Sequence, residues 1–184
     1  MTRKLPDPLT TDERTALLAQ PNKYCPTGLR NLILLRLMLN AGLRAAEVLG
    51  LEPRDIDLTT GRLKVRQGKG RRDRILWLGD DDLHLLRRWQ EKRPASQWLL
   101  PTLAGKKLQS RYLRQMVKRY GVKAGIQKDI HPHLLRHTMA TDLYRQSKDI
   151  RLVQRALGHS DLSTTMIYTH IADMDLEAAL KALR

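Results

Sequence analysis

Six side chains of this sequence could together break a phosphodiester bond without a metal ion. They are two arginines, a lysine, two histidines and a tyrosine, in chain order Arg44, Lys69, His133, Arg136, His159 and Tyr168. A tyrosine hydroxyl can attack phosphorus once it loses its proton, since its usual pKa is about 10. Guanidinium groups bind non-bridging phosphate oxygens and meet the added negative charge of a pentavalent transition state. The set therefore indicates phosphoryl transfer through a covalent tyrosyl intermediate.

Local spacing places some of these groups together. His133 precedes Arg136 by three residues, so the two share a face of a predicted helix. Arg44 stands three residues before Glu47, which can pair with it across one helical turn and orient it. A surface ion pair is the alternative for Arg44 and Glu47, and we expect the pair to form in either case.

Lys69 lies between Gly68 and Gly70 in a predicted strand turn. A flexible ammonium held there could enter the minor groove of DNA and protonate the departing 5′-oxygen as a general acid. The alternative is a basic hairpin tip that only contacts DNA. For Tyr168, the alternative is an ordinary core or surface tyrosine.

Three neighbouring histidines, His131, His133 and His137, raise the alternative of a zinc site. No other convincing ligand set accompanies them, so we predict no metal and no cofactor. His131 precedes Pro132 and is expected in a loop. His137 is expected to be a buried, hydrogen-bonded structural histidine that supports the neighbouring catalytic residues.

The charge of the chain favours a polyanion as its partner. The 184 residues carry a formal net charge of +15, and each phosphate that is neutralised releases counterions. No apolar run approaches the ~20 residues that span a bilayer, so we predict no membrane association. The single cysteine, Cys25, fits a reducing cytosol.

Two segments concentrate this charge. Residues 61–74 hold seven basic side chains against one acidic residue: Arg62, Lys64, Arg66, Lys69, Arg71, Arg72, Arg74 and Asp73. Residues 105–128 hold basic side chains and no acid, and their apolar positions predict an amphipathic helix with one basic face. The predicted DNA contacts are Arg66, Arg71, Arg72, Lys106, Lys107, Arg111, Arg114, Gln115 and Lys118. A solvated charged face is the alternative, although charges of one sign would repel each other there.

Hydrophobic periodicity predicts a mostly α domain with a small antiparallel β-sheet, an α+β fold. The predicted helices cover residues 10–19, 29–41, 45–49, 80–92, 108–120, 132–146, 150–157, 163–170 and 173–183. A three-stranded sheet is predicted around residues 56–58, 63–65 and 75–78, with Lys69 in its second hairpin.

The order and context of the six groups resemble the catalytic domain of the tyrosine recombinases, the phage-integrase and Xer-type family. The resemblance covers residues 9–171 and is carried by motifs at 42–47, 68–70, 133–137, 157–160 and 167–170. It implies the recombinase catalytic fold, with His133 assisting proton transfer and His159 donating a hydrogen bond to the phosphate. It also selects Lys69 over its basic neighbours and places the helix at 108–120 in the major groove.

The resemblance implies a site-specific DNA recombinase, or integrase, that cleaves and rejoins duplex DNA through a 3′-phosphotyrosyl intermediate. Such an enzyme is expected as a monomer when free and a tetramer on paired DNA sites, in the bacterial cytoplasm or nucleoid. Two alternatives remain at this stage. One is a type IB topoisomerase-like nicking-closing activity, and the other is a DNA-binding accessory module without full recombination activity.

Residues 1–8 are predicted to be a linker or tail, 9–172 the catalytic domain, and 173–184 a C-terminal helix. That helix packs on its own domain or docks on a neighbouring protomer. Most relatives carry a helical DNA-binding domain before the catalytic domain, and the segment before residue 9 is too short to hold one. We therefore expect either a dissected catalytic domain or a natural minimal recombinase.

Overall fold

The computed structural model describes residues 7–66, 73–158 and 181. In chain order, the helices and strands are α1 Thr11–Leu18, α2 Pro26–Asn40, α3 Ala45–Leu49, β1 Arg62–Val65, β2 Arg74–Trp77, α4 Asp80–Gln90, α5 Ser110–Lys123, α6 Pro132–Ser147 and α7 Ile150–Leu157. The predicted class, mostly α with a small antiparallel sheet, is confirmed. In the described part of the chain, no helix is both long and apolar enough to cross a membrane. The predicted helices at 163–170 and 173–183 lie outside the described residues, apart from Lys181, which is helical.

The first helix is capped at its start by Thr10. Thr10 accepts a hydrogen bond from the Glu13 backbone N–H at 3.2 Å, and Glu13 Oε2 accepts one from the Thr10 backbone N–H at 2.8 Å. This reciprocal pair satisfies two N–H groups that a helix start otherwise leaves without partners. The same end of the domain is tied to α6, because the Leu9 backbone N–H donates to Thr138 Oγ1 at 3.0 Å.

The sheet is smaller than predicted. Within the described residues β1 and β2 pair antiparallel, with Leu63 opposite Leu76 and Val65 opposite Arg74. The expected strand at 56–58 is reduced to a single bridge between Ile56 and Leu63. The reason is local, since Asp57 accepts hydrogen bonds from the backbone N–H groups of the next residues, Thr59 and Thr60. That turn bends the chain before a ladder can extend.

Helix α2 is the centre of the core. It packs against α4 and α6 and also contacts α1 and α3. Burial extends around most of this helix and includes Arg30 and Asn31. These two polar side chains bond to the tyrosines of α5: Arg30 donates to Tyr112 Oη at 2.8 Å, and Asn31 donates to Tyr120 Oη at 3.2 Å. Helix α5 is thereby held against the core through polar as well as apolar contacts.

Helices α6 and α7 share a second apolar cluster, which contains Met139, Tyr144, Val153 and Leu157. This cluster fixes the end of α7 beside the middle of α6. Helix α7 ends at Gly158, which has a φ of 63°. The chain therefore leaves α7 at a defined point next to the helix that carries His133 and Arg136.

Candidate active site

Arg44 is positioned by the turn between α2 and α3. Gly42 has a φ of 61°, a left-handed conformation that favours glycine. Two residues later, the Arg44 backbone N–H donates to Glu47 Oε2 and its Nη1 to Glu47 Oε1, both at 2.8 Å. The predicted pair between Arg44 and Glu47 is thus present and holds the arginine at both its backbone and its side chain. The Arg44 side chain keeps 27% of its surface exposed, enough for a ligand to reach it.

Arg136 enters the same region from α6. It is buried, and its Nη2 donates to the Leu157 carbonyl at 2.7 Å while its Nη1 donates to the Gly42 carbonyl. Its Nη1 also lies 3.7 Å from Glu47 Oε2. The two predicted phosphate-binding arginines, 92 residues apart in the chain, therefore converge on one carboxylate.

A third arginine completes this cluster, and sequence analysis did not single it out. Arg74 donates from Nη1 and Nη2 to the two oxygens of Glu47, at 2.9 and 2.8 Å. In the sequence it was counted only among the basic residues of the hairpin. The signal was strand alternation: Arg74 lies on the face of β2 that also carries Leu76 and continues to the buried Leu78. An arginine at an inward position of a strand requires a buried partner.

Glu47 is ionised because of these arginines. Burial alone would raise its pKa, but the hydrogen bonds and positive charge of Arg74, together with the hydrogen bonds of Arg44, lower the pKa to about 2. A carboxylate with several charge-assisted bonds is fixed in position. It therefore orients the guanidinium groups without titrating near neutral pH.

His133 lies one helical turn before Arg136 and is exposed. Partial desolvation lowers its pKa, and the positive charges of His131, Arg136 and Arg44 lower it further. The ring is therefore neutral at pH 7 and able to accept a proton. The influence of both arginines on this pKa shows that the three side chains share one electrostatic environment.

The other two histidines of the cluster have separate roles. His131 is the residue that caps α6, and its Nδ1 accepts the Leu134 backbone N–H at 3.2 Å. Its ring centroid lies 6.3 Å from that of His133. His137 is half-buried on α6 rather than fully buried as predicted. The Nδ1 lone pair of His131 is therefore occupied by this helix cap.

Three of the predicted catalytic residues, Lys69, His159 and Tyr168, lie outside the described residues, as do the predicted DNA contacts Arg71 and Arg72. Their roles stay predictions. The described chain reaches the residue next to one of them, since Gly158 directly precedes His159.

Helix α5 has the predicted amphipathic form. Leu113, Met116 and Val117 are buried. The exposed face carries the predicted DNA contacts of this helix, Arg111, Arg114, Gln115 and Lys118. Among the described residues, none of these cations is ion-paired with a carboxylate. Helix α5 packs against α6, which carries His133, and against α3, which Arg44 caps.

The remaining predicted contacts are placed differently. Lys106 is exposed in the loop before α5, and Lys107 stacks its ammonium over the Trp98 ring, 4.1 Å from the centroid. Arg66 is bound by two carboxylates, at 2.9 Å from Glu52 and 2.7 Å from Asp55. The hydrogen bond to Asp55 and that to Glu52 raise the pKa of Arg66. A phosphate would have to compete with both acids for this side chain.

Comparison with known proteins identifies relatives of this chain. The chain is 39% identical over 177 residues to tyrosine recombinase XerD of Staphylococcus epidermidis, covering 92% of this chain and 60% of the relative. It is 40% identical over 171 residues to tyrosine recombinase XerC of Xanthomonas axonopodis pv. citri, covering 92% of this chain and 55% of that relative. The chain thus spans between half and two thirds of the length of these curated relatives.

Solved structures of recombinases are also similar to this chain. The crystal structure of XerA recombinase superposes with a TM-score of 0.85 and 31% identity, covering 99% of this chain and 66% of that one. XerH site-specific recombinase, in a post-cleavage complex with its palindromic difH substrate, gives a TM-score of 0.80 and 34% identity over 96% of this chain and 53% of that one. The family model described as "Phage integrase family" matches residues 8–174. This chain belongs to the phage integrase family.

Proposed function

We propose that this chain cleaves and rejoins duplex DNA by transferring a DNA phosphoryl group to Tyr168 and back. The observation that carries the proposal is the convergence of Arg44 and Arg136 on Glu47, with a neutral His133 one turn away on α6. Two fixed guanidinium groups beside a proton acceptor suit an in-line attack of a hydroxyl on a phosphodiester. The assignment of Tyr168 comes from its motif and from family membership.

Every bond and proton of the proposed cleavage step is accounted for without a cofactor. The Tyr168 oxygen forms a bond to phosphorus as its proton leaves, and His133 accepts that proton. The bond from phosphorus to the 5′-oxygen breaks, and Lys69 supplies the proton that makes this oxygen a 5′-hydroxyl. Arg44, Arg136 and His159 stabilise the charge on the non-bridging oxygens. Attack by a 5′-hydroxyl on the phosphotyrosine reverses each of these steps, so the bond energy is conserved.

The partner in this proposal is double-stranded DNA, held through the basic face of α5. Its exposed cations have no acidic partner among the described residues, and a polyanion would relieve their mutual repulsion. The similarity to XerD, XerC and XerH supports site-specific recombination as the overall reaction. We expect it to take place between two paired DNA sites that hold four protomers.

The test does not need the natural site to be known. The full chain is incubated in EDTA with a pool of duplexes that carry a fixed nick flanked by random sequence, and the reaction is stopped with SDS. The nick lets the short 5′-hydroxyl fragment diffuse away, so that the covalent intermediate accumulates. Protein-linked DNA is then captured and sequenced. The parent is expected to enrich a defined sequence, and Tyr168→Phe is expected to capture none.

The control variant is Arg44→Gln. It is expected to bind the enriched duplex within a few-fold of the parent and to form the adduct at least about 100-fold more slowly, since one oxyanion donor typically contributes 10²–10³ in rate. If the parent binds the pool but forms no SDS-resistant adduct, the proposed function is wrong. If it relaxes supercoiled plasmid but never joins two DNA molecules, strand transfer between sites is the part that is wrong.

A further inference from the structure

Arg74 is a buried arginine whose three nitrogen atoms all have acceptors. Its Nη1 and Nη2 donate to the two oxygens of Glu47, and its Nε donates to the Ala156 carbonyl at 2.8 Å. Only 8% of the residue is exposed. Three of its five N–H groups thus donate to protein acceptors. Because the residue is also buried, we expect its effect on a bound phosphate to pass through the groups it holds.

The groups it holds belong to the proposed active site. Glu47 is the carboxylate that binds Arg44 at both its backbone and its side chain and lies 3.7 Å from Arg136. The Ala156 carbonyl is adjacent to the Leu157 carbonyl, which Arg136 binds. Arginines 74 and 136 thus take consecutive carbonyls at the end of α7, where a helix leaves its last acceptors without internal partners.

These contacts join segments that are distant in the chain. Arg74 begins β2, five residues after Lys69, and the carbonyls at the end of α7 precede His159 by two and three residues. Glu47 belongs to α3, which Arg44 caps. Arg74 therefore connects three parts of the chain. They are Glu47 with its arginine pair, the start of β2, which follows the segment with Lys69, and the end of α7, which precedes the segment with His159.

We propose that Arg74 is a positioning residue for phosphoryl transfer, which holds Glu47 and the end of α7 so that Arg44 and Arg136 meet the same phosphate. This inference rests on the proposed function and adds a residue to its machinery. Arg74 acts through these two contacts and does not touch DNA. Its loss is expected to slow the cleavage step at saturating DNA while leaving DNA affinity nearly unchanged.

Lysine cannot replace arginine here. An ammonium keeps the charge, but it cannot bind both oxygens of Glu47 in parallel and also reach the Ala156 carbonyl. Arg74→Lys and Arg74→Gln are therefore both expected to slow single-turnover cleavage by at least tenfold, because small displacements of catalytic groups have large effects on rate. The dissociation constant for the same duplex is expected to stay within threefold of the parent.

The matched control is Arg36, another arginine of the same domain that binds a buried carboxylate. It pairs with Asp82 through its Nε and lies 3.6 Å from Asp81, and it belongs to α2. Arg36→Lys and Arg36→Gln alter an ion pair of the same type without touching Glu47. Each variant is assayed at least 15 degrees below its own measured melting temperature, so that all samples are folded.

Chemical rescue separates positioning from general stability. In Arg74→Ala, added guanidinium ions at millimolar concentration can re-enter the vacated position and are expected to raise the cleavage rate at least threefold. Arg36→Ala is expected to gain nothing from the same addition. A structural role alone would give rates that follow the melting temperatures and no selective rescue.

The outcomes are distinct. A slow cleavage step with intact binding in both Arg74 substitutions, and normal rates in the Arg36 variants, would support the inference. Parent-like cleavage in Arg74→Lys and Arg74→Gln at saturating DNA would overturn it and leave the proposed function standing. Absence of any adduct from the parent protein would overturn both.

Discussion

At the scale of single residues, the proposed chemistry depends on the protonation of His133. Its lowered pKa keeps the ring neutral and able to take the proton of a nucleophile. Partial burial and the charge of His131 lower this pKa, and Arg136 and Arg44 lower it further with the same positive charge that would bind a phosphate. The pKa of His133 is therefore coupled to the charge of the phosphate site, and substitution of either arginine should change it.

We predict that His133 titrates below the usual histidine pKa of about 6.5 in the free protein. NMR of the imidazole C–H resonances, assigned with His133→Gln, measures this pKa directly. Arg44→Gln is expected to raise it, because a nearby positive charge is removed. A value at or above 6.5 in the parent, or no change in Arg44→Gln, would contradict the proposed coupling.

Glu47 gives a second prediction at this scale, on stability against pH. Its pKa is about 2 in the folded protein against a usual value of 4.5, so the ionised form stabilises the fold. That contribution, at most ~3 kcal/mol, is fully present above pH 4.5 and is lost as the pH falls towards 2. Urea unfolding of the parent between pH 6 and 3 should show this loss.

In Glu47→Gln the free energy of unfolding should fall less steeply between pH 6 and 3. The variant is also expected to be ~3–5 kcal/mol less stable at pH 6, because it leaves buried guanidinium groups without a counter-charge. Glu91→Gln removes an exposed carboxylate at the end of α4 and should follow the parent curve. Equal pH dependence in all three proteins would show that Glu47 does not act as described.

At the scale of elements, the turn after α2 has to bring Arg44 to the site. Gly42 adopts a φ of 61°, its carbonyl accepts from Arg136, and a Cβ there would stand 1.9 Å from the Met139 methyl carbon. Gly79, the N-cap of α4, has a φ of −76° and no atom within 4 Å of a built Cβ. The same substitution should therefore have opposite effects at the two glycines.

We predict that Gly42→Ser destabilises the protein by at least ~1–2 kcal/mol, the usual cost of a left-handed side-chain residue. Gly79→Ser should be neutral or slightly stabilising, since serine is a favoured N-cap. Thermal and urea unfolding measure both. Equal stability of the two variants would mean that the turn tolerates a side chain and does not constrain Arg44.

Much of the helical structure could be predicted from short stretches of the sequence. Apolar spacing is a property of neighbouring residues, so helices such as α5 could be located from the sequence. The missing third strand depends on hydrogen bonds that Asp57 makes with its own turn, which strand periodicity does not report. Arg74 was missed for the opposite reason, because its partners at Glu47 and Ala156 are distant in the chain.

At the scale of the whole molecule, the net charge of +15 should make DNA affinity strongly dependent on salt. Arg111, Arg114 and Lys118 are exposed on α5, and each that neutralises a phosphate should contribute about 0.9 to the slope of log affinity against log salt. We predict that each alanine substitution makes the slope less negative by about that amount, as measured by fluorescence anisotropy at several salt concentrations.

Arg87→Ala is the matched control, an exposed arginine on α4 instead of α5. It should leave the salt slope unchanged. If all four variants have the parent slope, then α5 is not the face that binds DNA. If Arg87→Ala alone changes the slope, the DNA lies on a different side of the domain.

The central claim is that this chain transfers a DNA phosphoryl group to Tyr168, and the most direct test identifies the residue that carries the DNA. The adduct formed in EDTA is digested with protease and nuclease, and the nucleotide-bearing peptide is sequenced by mass spectrometry. We expect one modified peptide, with a nucleotide 3′-phosphate on Tyr168. A modification on any other residue, or an adduct that forms only when a divalent metal ion is added, would contradict it.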